Sequence, residues 1–236
     1  MPPKFGIIAA LEREIAPLAR KLARRKDGPA GLAIFENREV CLVCGGIGAK
    51  QATSAARWLI ASCKPEVVMS VGFAGALVPA LSVGDVIAPG KVIDGITGEQ
   101  FPVGPGDRVL VSSEGVVSED AKKSLEAKFR AHAVDMEAAA VARVAQTTGV
   151  PFAAVKAISD ELGFIMLPMD RFVEAGKFRL WRFLSYVAIR PGTWPAVARL
   201  GANARKASSQ LCGWLENQIS RDFQDVRAGI RAKVSS

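Results

Sequence analysis

The sequence contains a single histidine, His132, and a single tyrosine, Tyr186. One histidine leaves a Ser-His-Asp enzyme dependent on that residue alone, and it excludes a multi-histidine zinc site. No metal site is expected. Cysteine is also sparse. Cys41, Cys44, Cys63 and Cys212 are too few to form a disulfide framework in 236 residues. Cys41 and Cys44 have the spacing of a redox or metal pair. They fall in 39–44, which reads as a strand, where residues three apart point to opposite faces, so they are expected to be core cysteines. Met1-Pro2-Pro3-Lys4 lacks the long apolar stretch of a signal peptide. A reducing cytoplasm is the expected location.

What is present is globular: half of the residues are hydrophobic and 23% are charged. The net charge of +8 is unevenly placed. Residues 1–170 hold 19 Lys/Arg and 19 Asp/Glu, whereas 171–236 hold 12 and 4. The excess therefore belongs to the C-terminal quarter. Nucleic acid and an anionic membrane surface are the two partner classes that such a surface raises.

Hydrophobic patterning alternates short apolar runs with helical periods. Residues 5–10 read as a buried strand, and 11–25 as a helix with Leu11, Ile15, Leu18 and Leu22 on one side. A hairpin is expected over 33–35 and 39–44, then a helix over 50–62. Further strands are expected at 67–71, 84–88, 91–93, 108–112, 133–135 and 152–158. Helices are expected at 118–128 and 136–147. Strands alternating with helices predict an α/β fold whose mainly parallel sheet has helices on both faces. Such sheets bind ligands at the carboxyl ends of their strands.

Several candidate segments lie at such ends. Gly45-Gly46-Ile47-Gly48 joins a strand to a helix, where amides hold an anion or form a plain tight turn. Gly72-Phe73-Ala74-Gly75 follows a buried strand and permits close backbone approach. Asp135-Met136-Glu137 sets two carboxylates at a strand-to-helix junction. They either accept hydrogen bonds from vicinal hydroxyls or serve the helix as cap and dipole partner. Ser159-Asp160 ends the last core strand. A carboxylate at the lip of an apolar sheet loses solvation and favours its protonated form, which suits a general acid. Its alternative is a turn aspartate. Glu14 follows the first strand and otherwise reads as a solvated helix residue.

Taken together, these segments resemble the nucleoside phosphorylase superfamily, and within it the 5'-methylthioadenosine/S-adenosylhomocysteine nucleosidases. The residues carrying the resemblance are 6–14, Gly46-Ile47-Gly48, Gly72-Phe73-Ala74-Gly75, Val134-Asp135-Met136-Glu137-Ala138 and Val155-Lys156-Ala157-Ile158-Ser159-Asp160. It implies a three-layer α/β/α sandwich around a mixed, mainly parallel sheet, in a homodimer. It also implies cleavage of the N-glycosidic bond of a purine nucleoside, with no cofactor. Asp160 would protonate purine N7, and Ser159 would orient it. Glu137 would bind the ribose hydroxyls, and Met136 would pack on the sugar. Phe73, Ala74 and Gly75 would lie near the ring, and backbone at Val116 and Val117 would read its edge. Leu11 and Ile47 would line the substrate pocket. Glu14 would activate water. Lys156 and Gly46 would form the nucleophile site, for water or for phosphate as a co-substrate. Phe73 and Lys156 stand where the family has serine and arginine, and Phe73, if it fills the nucleophile pocket, makes a non-catalytic nucleoside-binding relative the alternative.

Residues 1–164 account for this core, and 165–236 are expected to complete the same domain with helices. The stretch 177–190 reads as a basic amphipathic helix with Arg179, Arg182, Tyr186 and Arg190 in one stripe, too short and charged to span a bilayer. It is expected as a lid, a dimer contact or a peripheral membrane patch. Its apolar content argues against nucleic acid. Residues 189–200 loosely resemble the C-terminal part of hopanoid-associated phosphorylases. That resemblance implies a large apolar 5' substituent, as in adenosylhopane.

Overall fold

The computed structural model describes residues 2–104, 106–164, 172–174, 177–179, 186 and 190–221. Its centre is a mixed sheet. Strand β1 (Phe5–Ala9) lies between β4 (Val40–Cys44) and β5 (Val67–Ala76), parallel to both. All residues of β1 and β4 are buried, the continuous apolar signature of strands covered on both faces. β11 (Phe152–Asp160) runs parallel to β5 along most of its length. Beyond this core, β10 (Ala133–Asp135) pairs antiparallel with the end of β5 and parallel with β9 (Val109–Ser112). β9 in turn pairs parallel with β7 (Lys91–Asp94).

Four short strands finish the sheet. β2 (Ala23–Arg25) and β3 (Ala33–Glu36) extend it antiparallel beyond β4. β8 (Gln100–Pro102) pairs with β7, and β6 (Val86–Ile87) with β11. A separate two-stranded hairpin joins β12 (Val173–Glu174) and β13 (Lys177–Phe178).

Helices α2 (Ala49–Cys63) and α4 (Ala138–Thr148) pack together on one face of the sheet. Their buried sides are mostly alanine, which lets them lie close to the strands. α1 (Ala16–Ala19) and α5 (Trp194–Ser220) cover the other face, where Ala207, Leu211 and Leu215 enter the core against Ile7, Met69, Val71 and Ala157. The three-layer sandwich predicted from sequence is therefore present. α3 (Glu119–Phe129) sits beside β9. Ser118 caps it by accepting from the Ala121 amide, and Glu119 and Asp120 complement its dipole.

The structure corrects two sequence expectations. The helix expected over 11–25 is a 3-10 turn (Glu12–Glu14) and the single-turn α1, and its last residues are strand β2. Backbone pairing with β3 outweighs the helical spacing of Leu18 and Leu22. The helix expected over 177–190 does not begin as one, because Lys177 and Phe178 pair with Val173 and Glu174. Most of 180–189 lies outside the described residues, Arg182 included. The cysteine pair is also resolved: Cys41 and Cys44 face opposite sides of β4, as expected, but the sulfur near Cys41 is that of Cys63, at 2.6 Å. No described helix is long and apolar enough to cross a membrane.

Candidate active site

The carboxyl ends of β1, β4, β5, β9, β10 and β11 open into one cleft of about 810 Å³. Its lining includes Leu11, Glu14, Ile47, Phe73, Ala74, Gly75, Val116, Val117, Met136, Glu137, Ser159 and Asp160. Twelve of the fourteen residues singled out for the site thus line a single cavity. Lys156 and Gly46 do not line it. Lys156 lies behind the floor, and the Gly46 amide is bonded to the Ala10 carbonyl at 2.9 Å.

One end of the cleft is a corner of acids. Leu11 leaves β1 extended, and the following 3-10 turn brings Glu14 inward, where it is buried. The Leu11 amide reaches its carboxylate at 3.4 Å. Gly72 makes room for it: at φ +153°, a side chain there would place Cβ 2.9 Å from Glu14 Oε2 and 3.8 Å from Lys156 Nζ. Phe73 does not occupy this space. It follows Gly72 on β5, so it points to the opposite face, where it packs on the α5 side of the core.

Glu137 lies at the junction of β10 and α4, and Gly48 (φ +97°) donates its amide to Oε1 at 2.8 Å. Burial lifts the Glu137 carboxyl to about 7; Lys156 opposes this, and Asp135 and Glu14 add to it. Glu14 is likewise pushed above the usual carboxylate range by burial, against the pull of Lys156. Burial works against the charge of Lys156. Asp135 beside it, with Glu137 and Glu14, more than offsets that and holds its pKa above the ordinary lysine value.

The two carboxylates of Asp135-Met136-Glu137 have separate roles. Asp135 also lines the cleft, but its oxygens are taken by protein donors. Its Oδ2 takes the Lys156 ammonium at 2.8 Å and the Ala138 amide at 2.9 Å, and its Oδ1 takes the Ser112 hydroxyl at 2.5 Å. Ser112 is fixed in turn by the Ala139 amide at 2.9 Å. Lys156 also donates to Ser70 at 3.1 Å. Asp135 therefore anchors α4 and the buried lysine, and Glu137 is left for a ligand.

Asp160 lines the same cleft. The pairing of β11 with β5 slips at Ser159, since Ile158 faces Ala74 and Asp160 faces Gly75. This bulge reverses the alternation and re-aims Asp160. Ser159 donates to its Oδ1 at 2.9 Å. The lip is not bare, as the sequence reading assumed. Lys122 of α3 donates to Oδ2 at 2.5 Å, and both side chains are about 5% exposed. Lys122 was not singled out from sequence, although it shares the helix face of Leu125 and Phe129 at i, i+3, i+7 spacing.

Sequence reasoning missed the rest of the wall as well. Asp94, Ile96 and Arg143 line one side, with Arg143 donating to Asp94 at 2.6 Å and to Glu99 at 2.8 Å. Ser113, Glu114 and Gly115 continue the segment beside Val116. Val197, Leu200, Gly201 and Ala204 of α5 close another side with small or apolar groups. Among the described residues, no cluster of His, Cys, Asp or Glu is arranged to hold a metal ion.

This constellation sits on a fold with many relatives. A 5'-methylthioadenosine/S-adenosylhomocysteine nucleosidase from Helicobacter pylori, bound to butyl-thio-DADMe-Immucillin-A, superposes with a TM-score of 0.71 at 18% identity; the match covers 94% of this chain and 99% of that one. A futalosine hydrolase of Helicobacter pylori gives 0.71 at 19% identity over the same shares. The 5'-methylthioadenosine/S-adenosylhomocysteine nucleosidase of Neisseria meningitidis, in complex with methylthio-immucillin-A, gives 0.68 at 19% identity, covering 88% and 94%. At these identities the likeness is one of fold. The sequence itself matches the family model of the phosphorylase superfamily over residues 4–112 and 107–177, so the chain belongs to that superfamily.

Proposed function

We propose that this protein cleaves the N-glycosidic bond of a 5'-substituted adenosine and releases adenine, with water as the nucleophile. The observation that carries the reading is that Asp160, Glu14, Glu137 and Met136 line one cleft, with Glu14 against Gly72 and Asp160 against Gly75, three residues further along β5. A nucleoside in that cleft meets a group for its base, a carboxylate for its ribose hydroxyls and a carboxylate for the attacking oxygen. Breaking the bond needs two things: electron withdrawal into the purine by protonation at N7, and stabilisation of the cationic sugar. Asp160 serves the first. Glu137 and Glu14 beside C1' serve the second.

Several contacts favour water over phosphate. The amides of Gly45, Gly46 and Gly48 are already bonded, to Ala9, Ala10 and Glu137. Lys156 is held by Asp135 and Ser70. A phosphate dianion entering this corner would meet Glu14, Asp135 and Glu137 against that one buried ammonium, and like charges repel strongly in such a site. A neutral water carries no such cost, and Glu14 can accept its proton.

The α5 wall of Val197, Leu200, Gly201 and Ala204 suits an apolar 5' substituent. A methylthio group and a large hydrocarbon both meet that chemistry. Cytoplasmic location, a homodimer and a peripheral membrane contact through residues 177–190 extend the reading. Light scattering and vesicle co-sedimentation test the last two. The catalytic claim is tested by incubating the protein with methylthioadenosine or adenosine, with and without phosphate, and measuring free adenine. Release in both buffers at equal rate is expected. Release only with phosphate overturns the choice of water, and no release in either overturns the assignment for these substrates.

A further inference from the structure

The geometry points to Lys122 as the holder of the proton that Asp160 delivers to the departing base; this rests on the glycosidic reading above. Lys122 is the one fully buried residue of α3, on the face from which Leu125 and Phe129 pack on the core. Burying an ammonium costs several kcal/mol unless a partner meets it. The partner here is the carboxylate proposed to act on N7. Nζ donates to Asp160 Oδ2 at 2.5 Å and to the Glu161 carbonyl at 3.4 Å, and Lys122 itself lines the cleft. Neighbouring β5 is cut away to seat the pair. A Cβ on Gly75 would lie 2.8 Å from Asp160 Oδ2 and 3.2 Å from Lys122 Nζ.

The consequence concerns where the proton is stored. Both oxygens of Asp160 have protein donors, Lys122 on Oδ2 and Ser159 on Oδ1. An aspartate acting alone would have to carry its own proton before substrate arrives. Here the Lys122 Nζ, 2.5 Å from Oδ2, is placed to supply that proton as the base departs. As the C1'–N9 bond breaks, its electron pair moves into the purine ring. The proton passes from Nζ to Oδ2 and from Asp160 to N7, so the base leaves neutral. Lys122 is then a neutral amine beside a carboxylate. Water adds its oxygen to C1', and its proton goes to Glu14. Transfer of that proton through solvent back to Nζ restores the resting state, and the sum is nucleoside plus water giving sugar plus base.

The test compares Lys122→Met and Lys122→Arg with the wild type on two substrates. One is 5'-methylthioadenosine. The other is its N7-methylated form, corrected for spontaneous loss of base, which needs no proton at N7. Thermal melting confirms that each variant is folded. The expected result is a roughly 100- to 10,000-fold loss of kcat for both variants on the first substrate, with a loss under ~5-fold on the second. Arginine keeps the charge but does not surrender a proton. A restored Lys122→Arg, equal losses on the two substrates, or no loss at all overturns the proposal. A wild type inactive on both substrates instead sinks the glycosidic reading itself.

Discussion

The strongest structural commitment is the buried cation behind the cleft, and Lys156→Met tests it. Lys156 is 1% exposed and Asp135 4%, and their charged atoms meet at 2.8 Å. Methionine fills much of the same space without charge. Asp135 then keeps the Ser112 hydroxyl and the Ala138 amide but loses its counter-ion, while Glu14 and Glu137 lose theirs as well. Removing one partner of such a pair costs ~3–5 kcal/mol, because a charge stays buried without compensation. For a domain of this size that corresponds to a Tm lowered by ~6–20 °C. Urea unfolding followed by tryptophan fluorescence measures it. The double variant Asp135→Asn with Lys156→Met removes both charges and keeps the acceptor for Ala138. It is expected to recover most of the loss, giving a coupling energy of ~2–3 kcal/mol. A single-variant loss under ~1 kcal/mol, or a double variant equal to the sum of its parts, refutes the assignment of this pair as the anchor of the site.

Glu137 predicts two pH effects. Its carboxyl rises from 4.5 to about 7 on folding, so its contribution to stability is full below pH 4.5 and is lost as pH climbs through 7, a change of up to ~3 kcal/mol. Denaturant melts across that range check it, with Glu137→Gln removing the slope. Ribose hydroxyls bind the ionised form, so nucleoside affinity should rise over the same interval, as calorimetry would show. Asp160→Asn cannot carry a proton and should lower kcat by ~100-fold or more in an adenine-release assay. Gly72→Ala forces Cβ to 2.9 Å from Glu14 Oε2 in a backbone conformation that L residues avoid. It should destabilise by ~1–3 kcal/mol and lower kcat more than it changes KM, and steady-state kinetics with a parallel melt would separate the two.

Most of the site was legible because its residues sit at strand ends, where topology converges them without long-range information. Phe73, Glu137 and Asp160 needed only the order of strands and turns to be placed together, whereas Glu14 read as a solvated helix residue and was placed with them only by the family resemblance. The roles of Asp135 and Glu137 were not separable from spacing, since the choice depends on Lys156 and Ser112 arriving from other strands. Lys122 was invisible for a different reason. Helix α3 is rich in charge, and although Lys122 shares the helix face of Leu125 and Phe129, nothing in the pattern says that a carboxylate from β11 meets it there. The bulge at Ser159 depends on a pairing partner far along the chain, β5, and the strand at Ala23–Arg25 on its hairpin partner β3. The fold class followed from alternation of strands and helices. The strands at Ala23–Arg25 and Gln100–Pro102 did not, because three residues carry too little periodicity.

The central claim is tested most directly by the mass of the sugar product formed from methylthioadenosine in water enriched in heavy oxygen, with phosphate present. The account predicts free adenine and a methylthioribose whose C1' oxygen carries the heavy isotope. A sugar bearing an unlabelled phosphate ester, or recovery of intact nucleoside alone, would contradict it.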